Sequence, residues 1–298
     1  RDVMRKAAAR LAWIAALCVL AMCGLLVQPA VARAAAIAGV VPADRMTDWT
    51  EVGCPEPLPR PTLLVNVLDY GAKADASAAA QTAIAAAVAA LGGKPGVVQL
   101  PAGTFLLTGT VSLPSGVILR GAGAGVTTLR CNPANSGTGC LQVAGKTTGS
   151  WRNVTAGLSK GSTVLTLSDT SGLVVGDWLE LRQKNGTWDS KPADWAAFAL
   201  GQMLRITDVT ATTVTVDRPL RMTFEAALEP QVIRWQPVTD VGIEDLTIDR
   251  YSDPTTGASY NILFSLAANS WVQGVEGNRS IGSHVMITRS SRITVRGS

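Results

Sequence analysis

Carboxylates crowd one stretch of this chain, where Glu244, Asp245, Asp249 and Asp253 follow closely on one another. Paired carboxylates about 6.5–9.5 Å apart are what an inverting glycosidase needs, one as acid and one as base. Strands stacked about 4.8 Å apart can bring such a pair together from neighbouring turns. Ile243, Leu246 and Ile248 are natural inward positions, which leaves Asp249 facing outward at a strand end. Asp245 and Asp253 can equally serve by bonding turn backbone. Downstream, residues 277–298 hold Arg279, His284, Arg289, Arg292 and Arg296 and no acid after Glu276. Such a cationic face suits a polyuronate, because arginine grips carboxylates through two parallel bonds; a solvated outer face reads the same way. Asp249, Asp253, His284 and Arg289 are therefore the catalytic candidates. Trp188, Trp195 and Arg292 are the candidates for holding substrate, whereas Trp271 sits in a strand repeat and reads as packing. His284 is the single histidine, so no zinc spacing exists and no metal site is identified.

Residues 1–36 read as a secretory signal peptide: Arg5, Lys6 and Arg10, an apolar run from Leu11 to Val27, then small residues through Ala34. That run is at the short end for a bilayer span, so no stable membrane span is expected after cleavage. The whole chain carries 26 Lys+Arg and 22 Asp+Glu. Residues 1–34 hold five of those bases and one acid, which leaves 21 of each in the mature part. A duplex-binding protein needs a net basic field, so nucleic acid is not an expected partner. Cys18 and Cys23 depart with the leader. Cys131 and Cys140 bracket a turn-rich segment and are expected to form a disulfide in an oxidising compartment, with Cys54 left over.

Residues 37–62 read as a linker rich in Pro and small residues. One helix is expected between Ser77 and Leu91, with Ile84, Val88 and Leu91 as its apolar stripe and Gly92-Gly93 at its end. The stretches Val97–Leu100, Thr104–Leu107, Val111–Leu113 and Val117–Leu119 are short strands punctuated by Pro and Gly, the pattern of a coiled sheet. Residues 63–150 are thus the first turns of a solenoid capped by the helix. Residues 151–235 break the pattern with period-2 strands and read as an antiparallel β insert. Residues 236–298 resume it. There, Ser270–Val275 and Ser291–Val295 match at a 21-residue offset, and Val241–Leu246 matches the first 29 residues earlier, sizes that suit one solenoid turn.

Asp69-Tyr70-Gly71-Ala72-Lys73, Leu100-Pro101-Ala102-Gly103-Thr104-Phe105, Leu113-Pro114-Ser115-Gly116-Val117 and Arg120-Gly121-Ala122-Gly123 form an ordered series around that helix. Together they resemble the N-terminal module of the pectate-lyase superfamily, which includes polygalacturonase-like and rhamnogalacturonase-like proteins. The resemblance covers residues 63–130. It implies an all-β, right-handed parallel β-helix acting on acidic polysaccharides. Two departures stand out. The acid-rich stretch usual after Asp-Tyr-Gly is here Ala74–Thr82, with only Asp75 matching. No Asn-x-Asp, Asp-Asp, Gly-His-Gly or Arg-x-Lys hydrolase signature follows, and Ser298 falls within a turn without a cap, so truncation at the C-terminus is expected.

The expectation is a secreted, extracellular or periplasmic protein that degrades a pectin-like acidic polysaccharide by hydrolysis or β-elimination. Its cofactor is unknown, and a lyase would call for Ca²⁺. The alternative is a non-catalytic glycan-binding or adhesin-type β-helix. A phage tailspike-like fibre is set aside because of the leader.

Overall fold

A computed structural model describes residues 42, 46, 52–131, 138–251, 259–280 and 282–298. The signal peptide and Asp253 lie outside the described residues.

The first turns are built from β1 (Leu64–Asn66), β2 (Asp75–Ala79), α1 (Gln81–Ala90), β3 (Gly96–Gln99), β4 (Gly103–Leu107), β5 (Val111–Ser112), β6 (Val117–Arg120), β7 (Thr127–Cys131) and β8 (Gly139–Ala144). Next come β9 (Lys146–Ala156), β10 (Val164–Leu167), β11 (Trp178–Gln183), β12 (Leu200–Val209), β13 (Thr213–Val216) and β14 (Gln231–Gln236). The later turns are β15 (Val238–Thr239), β16 (Gly242–Arg250), β17 (Tyr260–Ser265), β18 (Ala267–Asn278), β19 (Val285–Thr288) and β20 (Ser291–Arg296).

Outside β9–β14 every strand pairing is parallel. One column runs β1-β3-β6-β16-β18-β20, a second β2-β4-β7-β16, and a third β5-β8-β17-β19. This is a parallel β-helix. Strand β16 serves two columns because its backbone bends at Asp245, where φ is 55°. The same corner is Gly274 one turn later and Gly297 in the turn after, at φ 62° and 58°. A second corner recurs at Gly116, Asp240, Asn269 and Arg292, all in the left-handed region. Between corners the chain alternates, so Val98, Leu119, Ile243 and Val272 share the apolar interior with Phe105, Leu129, Leu141, Ile248 and Phe264.

Helix α1 closes one end of that interior with Ala83, Ile84 and Ala87. It starts later than Ser77, because Asp75–Ala79 joins the second column beside β4 instead. Asp75 correspondingly accepts from the Ser77 N–H at 2.9 Å and does not cap the helix. The repeat also needs a correction. Gly242 faces Trp271, which is the expected offset of 29, but Trp271 faces Thr294 and Val272 faces Val295, so the next offset is 23 and not 21. A slip of two residues keeps every side chain on its original face, which is why the apolar pattern alone matched at the wrong spacing.

Strands β9–β14 close into an antiparallel barrel in the order β10-β13-β12-β11-β14-β9. The chain enters it between β8 and β15, so β6 and β16 remain adjacent turns despite the insertion. Leu165, Leu179, Leu181, Leu204, Ile206, Val214 and Val232 fill its interior. Its outer wall meets the β-helix through Trp178 and Trp235, packed edge to face at 5.2 Å beside Leu266 and Ala268.

Cys131 and Cys140 are disulfide-bonded. Cys54 and Leu58 are buried on the outside of the first column, against Val97, Ile118 and Trp271. Among the described residues no helix is long and apolar enough to cross a membrane.

Candidate functional site: an arginine-lined cleft

Alternation decides what the barrel presents to its neighbour. With Leu179 and Leu181 inside, Glu180 and Arg182 must point outward from β11. Facing them is the turn that joins β19 to β20. Between the two lies a cleft of about 900 Å³, whose lining includes Glu180, Arg182, Arg218, Arg221, Arg289 and Arg292. Trp195, on a short 3₁₀ turn, stands at its edge with 92% of its surface exposed.

Glu180, which lines this cleft, and Asp217, next to the lining Arg218, are both already engaged. Glu180 accepts from Arg289 through both oxygens, at 3.0 Å each from Nε, with a further bond from Nη2. Asp217 accepts from Arg218 at 2.8 Å and from the Arg205 backbone N–H at 2.8 Å, and Arg292 stands 3.6 Å away. Arg182 is held differently. Its guanidinium carbon lies 3.4 Å from the centre of the Trp151 ring and 3.8 Å from that of Phe198, a double cation–π contact. Burial pushes its pKa below the ordinary arginine value, and Glu180 partly offsets that.

The cleft thus unites three of the residues singled out in the sequence: Trp195, Arg289 and Arg292. The others lie elsewhere. Asp249 does face outward, but Arg279 holds both its oxygens at 2.7 Å. His284 lines a separate hollow of about 310 Å³ with Ile248, Asn261 and Val285, its Nδ1 3.1 Å from the Asn261 amide nitrogen. Trp188 is half exposed and does not line the cleft. Of the remaining acids, Glu244 is buried, accepting from Trp271 Nε1 and Arg120 Nε at 2.7 Å and from Arg60 at 3.1 Å. Asp245 forms a corner of the coil. Sequence reasoning passed over Glu180, Arg182, Arg218 and Arg221. The signal for Glu180 and Arg182 was their alternation with leucines in Trp178-Leu179-Glu180-Leu181-Arg182.

Among the described residues no group of three or more His, Cys, Asp or Glu side chains is placed to hold a metal ion.

A parallel β-helix carrying a β-barrel between two of its turns is the class that this architecture defines. Residues 64–179 match the family described as rhamnogalacturonase A/epimerase, pectate lyase-like. Two solved structures share the fold. The tailspike of Pseudomonas phage phi297 superposes with a TM-score of 0.57 at 18% identity, over 73% of this chain and 39% of that one. The tailspike of Acinetobacter baumannii bacteriophage AP22, solved with a capsular saccharide of A. baumannii, gives 0.54 at 10% identity, over 78% and 36%. The chain spans well under half the length of either. No curated protein sequence matches it.

Proposed function

We propose that this chain is a secreted, carbohydrate-active protein that takes an acidic polysaccharide into the cleft between barrel and β-helix and cleaves it. The observation that carries this reading is the lining itself: five arginines converge on one space, against a single carboxylate, Glu180, already tied to Arg289. Guanidinium forks match uronate carboxylates bidentately, and Trp195 offers an exposed ring on which a sugar face can stack. Neutralising a uronate carboxylate also makes its neighbouring proton easier to remove, which is the requirement of β-elimination. Hydrolysis needs a protonated acid beside a free carboxylate, and Glu180 and Asp217 in their ion pairs fit that need less well. The leader-like N-terminus supports secretion, outside the described residues.

A second reading, a glycan-binding or adhesin-type surface protein, draws on the same ion pairs. With Glu180 and Asp217 committed, the cleft can hold an acidic glycan without cutting it.

Incubating the protein with polygalacturonate, with and without Ca²⁺, separates these outcomes. Ultraviolet absorbance of an unsaturated product identifies a lyase, and new reducing ends without it a hydrolase. Binding without either supports the second reading. Absence of binding across a panel of acidic glycans removes the cleft from consideration.

A further inference from the structure

Arg182 stands apart from the other cations of the cleft. Arg289 and Arg218 have carboxylate partners, and Arg221 is exposed to solvent. The Arg182 guanidinium lies against two aromatic rings, Trp151 and Phe198. Its Nε is buried and has no acceptor. The adjacent carboxylate, Glu180, is occupied by Arg289. A desolvated donor without an acceptor costs on the order of 1–3 kcal/mol, more when it is charged. The fold keeps it there nonetheless, lining the cleft. Opposite it in register on β12 is Gly201. A Cβ at Gly201 would come within 2.7 Å of the Leu181 carbonyl oxygen, so the two strands meet closely beside Arg182.

A planar guanidinium seated against two rings and lining the cleft is complementary to a planar anion with two oxygens. We infer that Arg182 is the specificity-determining residue of the cleft, reading the carboxylate of a uronate unit edge-on and so selecting acidic over neutral glycans. This inference rests on the reading that an acidic polysaccharide occupies the cleft. Arg289 and Arg292 then contribute field, while Arg182 contributes selection. The aromatic clamp is what gives it that role, because it removes the rotamer freedom a surface arginine would lose on binding.

The test is calorimetric titration of the protein with a galacturonate oligosaccharide and with the same oligosaccharide after carboxyl reduction. The wild type is expected to prefer the acidic form by tenfold or more. Arg182→Gln and Arg182→Lys should both bring that preference close to one, the lysine variant because it keeps charge but loses the fork. Wild type preferring the acidic form with both variants unchanged overturns the inference and leaves the polysaccharide reading standing. Equal binding of the two forms by wild type does the same. Failure of both oligosaccharides to bind overturns the polysaccharide reading as well. Should the variants not fold, arginine modification of the wild type by phenylglyoxal, mapped by mass spectrometry, decides the matter. Protection of Arg182 by the acidic oligosaccharide and not by the reduced one is expected, and equal modification with and without it refutes the assignment.

Discussion

Arg289 grips Glu180 through both carboxylate oxygens, and this fork fastens the turn between β19 and β20 to the outer wall of the barrel. Glu180 is the buried member, its side chain 10% exposed against 43% for Arg289. Removing the arginine should therefore cost more than a surface pair and less than a fully buried one, about 1–2 kcal/mol. A double-mutant cycle of Arg289→Ala with Glu180→Gln, read by urea unfolding, should give a coupling of about 1 kcal/mol. A coupling near zero would show that the fork contributes nothing to holding the two parts together.

Gly242 lies directly beneath Trp271. A Cβ there would meet the indole ring at 2.6 Å, and that ring is buried and bonded through Nε1 to Glu244. Gly242→Ala must displace it, at a cost of about 1–3 kcal/mol. Trp271→Phe should cost about 1–3 kcal/mol through the lost bond to a charged acceptor. The double variant should lose less than the two single losses together, since one ring is moved in both. Denaturation midpoints check this directly, and simple additivity would contradict it.

Cys54 is a free, buried thiol whose pKa is pushed up to about 11, chiefly by burial and then by Asp240 and Glu56. At pH 8 almost none of it is thiolate, so alkylation should be slow in the folded protein and should quicken steadily towards pH 11. Because the folded state favours the neutral thiol, its contribution to stability is present below the ordinary value of 9.0 and disappears as pH rises from there to about 11. Leu58→Ala, which opens the cluster over this thiol, should speed labelling at fixed pH. Rapid labelling of the wild type at pH 8 would sink the argument.

Trp195 is almost wholly exposed. Its replacement by alanine should leave stability within about 0.5 kcal/mol while weakening binding of an acidic oligosaccharide several-fold. Trp188→Ala, outside the cleft, should leave affinity unchanged. Equal effects of the two would place the glycan elsewhere.

What was legible in the sequence was whatever depends on local alternation. Short apolar runs between Gly and Pro signalled a coiled sheet, and Ile243, Leu246 and Ile248 were assigned inward because period-2 patterning survives at the level of single strands. The same property set its limit. Ser270–Val275 matched Ser291–Val295 at the wrong offset because a two-residue slip preserves which face each side chain takes, and only stacked backbones distinguish 21 from 23. Ser77 suits a helix start because its side chain can cap free N–H groups, but pairing of Asp75–Ala79 with β4 makes that segment a strand.

The cleft shows the division most clearly. By itself the chain determined that Arg289 and Arg292 sit in a basic stretch, residues 277–298, and that Trp195 sits in a loop of the insert. Only the tertiary structure decided that these meet Glu180 and Arg182, more than a hundred positions from Arg289. The physical reason is that alternation fixes inside against outside but not which outer wall touches which turn. That choice belonged to Trp178 and Trp235 packing on Leu266 and Ala268, a contact between surfaces with no period in common.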